Sequence, residues 1–142
     1  MNITLRKFIF IILFIVFGFI LLATYTLTAN KFLTSREFEI QNDKIPSSFD
    51  GFRIAHISDL HNESFGKKNK NLLNRIRESS PDIIALTGDI IDSWKTDFSV
   101  AEDFICEVTK IAPVYYITGN HEPRIDESGQ LFKTMKDHGV IL

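Results

Sequence analysis

The sequence predicts an α/β chain, a parallel sheet built from successive βαβ units and preceded by one transmembrane helix. Two observations predict it. An apolar run without a single charge extends from Phe8 to Asn30. Beyond it, three short apolar runs of strand length alternate with stretches of helical periodicity, and each run ends in a cluster of carboxylate, imidazole or amide side chains.

The first element is the apolar run. Phe8 to Ala23 is nearly all Phe, Ile, Leu and Val, broken only by Gly18. As a helix the run reaches roughly 35 Å, enough for a hydrocarbon core of about 30 Å. Residues 1–30 therefore read as a membrane anchor. Arg6 and Lys7 precede the run, which by the positive-inside tendency leaves the N-terminus in the cytoplasm and exports the rest, although Lys31 and Arg36 follow closely. A cleaved signal peptide is the competing reading, but the run is long for one and no Ala-x-Ala site follows. A buried core helix would need cover on every face, which so small a domain could hardly supply.

Residues 31–48 read as a strand and linker. Glu37-Phe38-Glu39-Ile40 alternates as an edge strand would, and residues 42–48 hold Asp43, Pro46 and two serines. From residue 49 to 142 the βαβ pattern takes over. Phe52 to Ser58 is a strand ending in Asp59-Leu60-His61. Asp82 to Thr87 is a strand ending in Gly88-Asp89, and Pro113 to Thr118 one ending in Gly119-Asn120-His121. Helices are expected over Lys67 to Ser79, Ser99 to Ile111 and Gln130 to Lys136. Gly139 would close the last, and Val140-Ile141-Leu142 begins a further strand. Strand–helix–strand spacing means parallel pairing with right-handed crossovers. Functional groups in open α/β sheets gather at the carboxyl ends of strands, where all three motifs sit.

Each motif alone has an ordinary explanation. Asp59 could cap a turn, Asp92 could cap a helix, and Gly119-Asn120 could be a turn beside an exposed His121. Together they converge. Asp59 and His61 offer oxygen and nitrogen two residues apart, on one side if the strand pleat continues, a mixture that suits Mn, Fe or Zn better than Mg or Ca. Asp89 adds a carboxylate able to bridge two ions. Asn120 adds a neutral oxygen, His121 a group that exchanges protons at neutral pH, and Asp92 an acceptor that could orient an imidazole.

Composition narrows the function classes. Sixteen Lys and Arg against eighteen Asp and Glu give a net charge of -2, and every acidic residue lies after the anchor. No block of five or more bases appears, so no nucleic-acid partner is expected. The single cysteine, Cys106, forms neither an internal disulfide nor a Cys-rich zinc site and reads as apolar filler. His56, within a strand, and His138, at a helix end, read as structural. A nucleotide-binding domain would need a Gly-rich phosphate loop that the chain lacks.

The blocks Asp59-x-His61, Gly88-Asp89-x-x-Asp92 and Gly119-Asn120-His121-Glu122 resemble those of the calcineurin-like metallophosphoesterase family, over about residues 50 to 125. The longer phrases Arg53 to His61 and Leu86 to Asp92 look like its membrane-anchored bacterial branch. Some members of that branch resemble enzymes that cleave the pyrophosphate of UDP-diacylglucosamine. The resemblance implies a partial metallophosphatase-like αββα sandwich and two divalent metal ions. Asp59 and His61 would bind the first ion, Asp89 would bridge both and Asn120 would bind the second. A hydroxide between the ions would cleave a phosphoric ester or pyrophosphate. His121, steadied by Asp92, would be catalytic, stabilising charge or protonating the leaving oxygen. The family's later blocks, a His after a further strand and a Gly-His-x-His, have no counterpart here. Residues 49–142 are therefore expected to be the N-terminal half of such a domain, weakly active or inactive as it stands. The alternative is a non-catalytic membrane-anchored remnant or interaction module, which the DNA downstream of Leu142 would distinguish. A phosphorylated small molecule or a lipid-linked pyrophosphate is the expected partner, with the single-pass chain's main part outside the cytoplasm.

Overall fold

Residues 3–29, 33–94, 97–125 and 128–142 are described by the computed structural model. They fall into two compact units, Met1–Thr34 and Ser35–Leu142. The first is helix α1, Ile3–Ala29. Within it, Arg6–Thr26 is long and apolar enough to cross a membrane. Two of its polar side chains bond inside the helix: the Thr24 hydroxyl bonds the carbonyls of Ile20 and Leu21, and the Thr26 hydroxyl bonds that of Ala23. Turning hydroxyls back on the helix removes the cost of taking them into an apolar medium.

In the second unit, residues 35–42 form no regular secondary structure. The edge strand expected around Glu37 to Ile40 does not form. Alternation makes a strand only where there is a face to bury, and here Phe38 and Ile40 stay 82% and 79% exposed. The sheet begins with β1, Ile54–Ile57, continues with β2, Ile83–Thr87, and ends with β3, Val114–Ile117. All pairings are parallel in the order β1-β2-β3, with Ile57 opposite Leu86 and Thr87 opposite Ile117. The further strand expected at Val140 is reduced to one parallel bridge, Tyr115 to Ile141.

Between the strands run α2, Lys70–Glu78, and α3, Ser99–Val108, followed after β3 by α4, Ser128–Asp137. The first begins later than its apolar spacing predicts, because Lys68 and Asn69 adopt left-handed backbone, at φ 53° and 57°. Asn69 is fully buried, and its side-chain oxygen accepts from the Phe65 amide at 2.8 Å, fastening the preceding loop to the helix start. After α4, Gly139 takes the positive φ expected of a helix-closing glycine.

One sheet face carries the core. Ile84, Leu86, Val114 and Tyr116 meet Leu73 and Ile76 of α2, Ala101, Phe104, Ile105 and Val108 of α3, and Leu131 and Met135 of α4. The opposite face is open: Ile54, Tyr115 and Ile117 are exposed, and so is His56, whose Nε2 lies 2.6 Å from the Thr87 hydroxyl. Cys106 is half-buried on α3.

Phe104 is the largest of the fully buried side chains. Truncation to Ala removes its transfer energy and leaves a cavity, so Phe104→Ala should lower stability by about 3–5 kcal/mol, read from denaturant unfolding followed by circular dichroism.

Candidate metal centre

Parallel pairing sends the three strand-ending turns off the same edge of the sheet. The turn after β1 then runs alongside the turn after β2: the amides of Asp59, His61 and Asn62 donate to the carbonyls of Gly88, Asp89 and Ile90 at 3.2, 2.8 and 3.0 Å. This pairing is not a continued pleat. Asp59, His61, Asn62 and Asp89 all take left-handed backbone, at φ 56°, 47°, 57° and 52°. Asp, Asn and His tolerate that region better than other residues with a Cβ. The coil still leaves Asp59 Oδ1 3.7 Å from His61 Nε2, while the Ser58 hydroxyl donates to Asp59 Oδ2.

The turns after β2 and β3 meet through two glycines. A Cβ on Gly88 would overlap the backbone of Gly119, and one on Gly119 would overlap the Asp89 carboxylate. Only glycine lets the backbones approach so closely. The approach puts the Asp89 carboxylate, nearly buried, where its Oδ1 accepts the His121 amide at 2.8 Å.

The result is a donor cluster. His61, Asp89 and His121 each offer one ligand atom, and the three atoms lie within 4.8 Å of one another. The two imidazoles stand edge to face with ring centroids 4.7 Å apart. A nearly buried carboxylate beside two imidazoles is a nitrogen–oxygen set that fits a divalent cation. Asp59 stands outside this trio, tied to it through His61, and Asn120 is exposed between Gly119 and His121.

His121 is held by the turn after β2. The backbone N–H of Ser93 donates to its Nδ1 at 3.2 Å, with the Ser93 hydroxyl at the same distance, while Asp92 Oδ1 is 3.7 Å away and accepts the Trp94 amide. No helix begins at Asp92, so it caps none; it closes a turn. A backbone N–H can only donate, so Nδ1 is the acceptor of that bond.

Two residues acquire contacts that the sequence did not assign them. Ser93 had no signal beyond standing next to Asp92. Glu122 stood in the third motif without a role, yet it is fully buried and accepts three backbone amides: Asp89 at 3.1 Å, Ile90 at 2.8 Å and Gly119 at 2.9 Å. Such charge-assisted bonds contribute about 1.5–3 kcal/mol each. Tyr116 is buried nearby. Burial first, and then the Glu122 and Asp89 charges, push its phenol far up, so it stays protonated.

Gly119→Ala should force the Asp89 carboxylate aside and weaken binding of Mn²⁺ at least about ten-fold while the strand signal in circular dichroism persists; electron paramagnetic resonance of free Mn²⁺ measures the loss.

Comparison with known proteins agrees with this geometry. The chain is 28% identical over 106 residues to a Danio rerio protein named as a transmembrane protein with a metallophosphoesterase domain, covering 73% of this chain and 24% of that protein. It is 32% identical over 117 residues to a Caenorhabditis elegans protein named for a metallophosphoesterase, covering 79% and 24%. Over 66 residues it is 41% identical to the uncharacterized metallophosphoesterase YkuE of Bacillus subtilis, covering 45% and 23%. The chain thus spans about a quarter of the length of these relatives. A sequence profile of the calcineurin-like phosphoesterase family matches residues 52–140, a segment that holds all three strands and all three motif turns, and the chain belongs to that family.

Proposed function

We propose that this chain is the site-bearing part of a membrane-anchored metallophosphoesterase acting on phosphate or pyrophosphate esters, with lipid-linked or cell-envelope substrates favoured. The observation that carries the reading is the meeting of His61, Asp89 and His121 at the carboxyl edge of a parallel sheet. Asp59 and His61 would hold one ion, Asp89 would lie between two, and Asn120 would serve the second; Mn, Fe or Zn suits these donors. Bound divalent ions supply Lewis-acid polarisation of a phosphoryl oxygen.

The chain's own residues do the rest. His121, with its Nδ1 occupied by the Ser93 amide, would act through its Nε2, stabilising charge or protonating the leaving oxygen. Ser93 fixes the ring, and Asp92 closes the turn that carries Ser93. Asn120, being neutral, adds no negative charge where an anionic substrate must approach. Residues 1–142 by themselves offer too few donors for two complete metal shells, so alone they bind one ion weakly and hydrolyse little.

The lipid-linked substrate class is supported by α1, which would tether the site to a bilayer, and by the Danio rerio relative named as a transmembrane protein. Arg6 and Lys7 at the start of the span favour a cytoplasmic N-terminus with residues 35–142 exported.

Calorimetric titration of the detergent-solubilised chain with Mn²⁺ should show one weakly bound ion, absent in Asp89→Asn. Equal binding by the variant would remove Asp89 from the site, and tight uptake of two ions would overturn the incomplete shell. A reporter enzyme that is active only outside the cytoplasm, fused after Leu142, should be active; an inactive fusion reverses the orientation.

A further inference from the structure

We infer that Glu122 is the positioning residue of the metal centre, a buried clasp that sets the distance between Asp89 and His121 before any ion binds. The inference rests on the metal-binding reading above and adds a residue that does not itself touch the ion.

The geometry is reciprocal. Glu122 follows β3 but grips the turn after β2, taking the Asp89 and Ile90 amides; Asp89 in turn takes the amide of His121, one residue before Glu122. Each carboxylate therefore holds the backbone that carries the other. Glu122 closes the arrangement on its own side by accepting the Gly119 amide with the same oxygen that takes Asp89. Asp89 sits at φ 52°, a conformation that costs free energy for a residue with a Cβ, and the amide it presents to Glu122 is held in that conformation. No cation among the described residues pairs with Glu122. Full burial of a carboxylate without a counter-charge is costly unless hydrogen bonds replace its water, and three amides do so here.

The side chain required is specific. Gln has the same length, but its amide nitrogen is a donor, so one side of the group must face a backbone N–H that also donates. Asp keeps the charge but is one methylene shorter, so it reaches all three amides only if the turns move. Either change loosens the Asp89 turn relative to the turn that bears Asn120 and His121, and donor atoms that drift apart bind an ion less well.

The test titrates the full chain with Mn²⁺, reading paramagnetic broadening of the His61 and His121 ring signals, in wild type, Glu122→Gln and Val108→Ala. Val108 is fully buried on α3, far in sequence from the motif turns, and its truncation lowers stability without touching the clasp. All measurements are made well below each variant's Tm. Glu122→Gln should weaken Mn²⁺ binding about ten-fold or more while Val108→Ala leaves it unchanged. If Glu122→Gln binds as wild type does, or loses no more than Val108→Ala, Glu122 is a stabilising residue only and the inference falls while the site stands. If wild type itself does not broaden, the metal-binding reading fails and takes the inference with it. Should Glu122→Gln not fold, Glu122→Asp takes its place, and unchanged affinity there overturns the inference equally.

Discussion

Parallel pairing of three consecutive strands is the constraint from which the rest follows. Strands that run the same way must be joined by crossovers, and crossovers of one hand return over one face. That is why α2, α3 and α4 all contribute to a single apolar layer and why the opposite face keeps Ile54, Tyr115 and Ile117 in the open. The same constraint sends every strand-ending turn off one edge. With Ile57 opposite Leu86 and Thr87 opposite Ile117, the three turns leave the sheet nearly level. Residues more than 30 positions apart in the chain, such as Asp89 and His121, thereby come within hydrogen-bonding reach. The candidate metal centre is a product of strand direction first and of side-chain identity second.

Level turns would not suffice by themselves. The site needs the two glycines that let the second and third turns nearly touch, and it needs something to stop those turns from sliding. Backbone hydrogen bonds hold the first turn to the second, whereas buried carboxylates hold the second to the third. The centre thus uses its negative charge twice, as donor atoms for a cation and as acceptors for amides that no strand ladder satisfies.

Much of this was legible in the sequence because periodicity and punctuation are local. The short apolar run around Ile84 and Leu86, the Gly that follows β2, and the Pro113 that precedes β3 place strands and turns without tertiary knowledge. Where local signals depended on a partner they misled. Glu37 to Ile40 alternates like a strand, but no neighbouring strand takes it up. Lys67 to Asn69 continues a helical spacing, but left-handed backbone interrupts it. The pleat argument for Asp59 and His61 reached a correct proximity by a wrong route, since coiled backbone rather than extended strand joins them. Ser93 and Glu122 were illegible for a different reason. Their roles are hydrogen bonds to residues about 30 positions away, and a single sequence carries no record of such pairs.

The left-handed backbone at Asp59, His61, Asn62 and Asp89 has a consequence for how the segment can change. At His61 and Asp89 the backbone and the candidate donor role draw on the same short alphabet of Asp, Asn and His, so two independent demands fall on each of those positions. Exchange for a β-branched or bulky residue offends both, and even a ligand-like Glu at Asp89 loses the backbone advantage. Glycine alone separates them, because it accepts the dihedral while deleting the donor. Drift through these positions is therefore confined to a corridor a few residue types wide, and loss of the chemistry without loss of the shape leads through glycine.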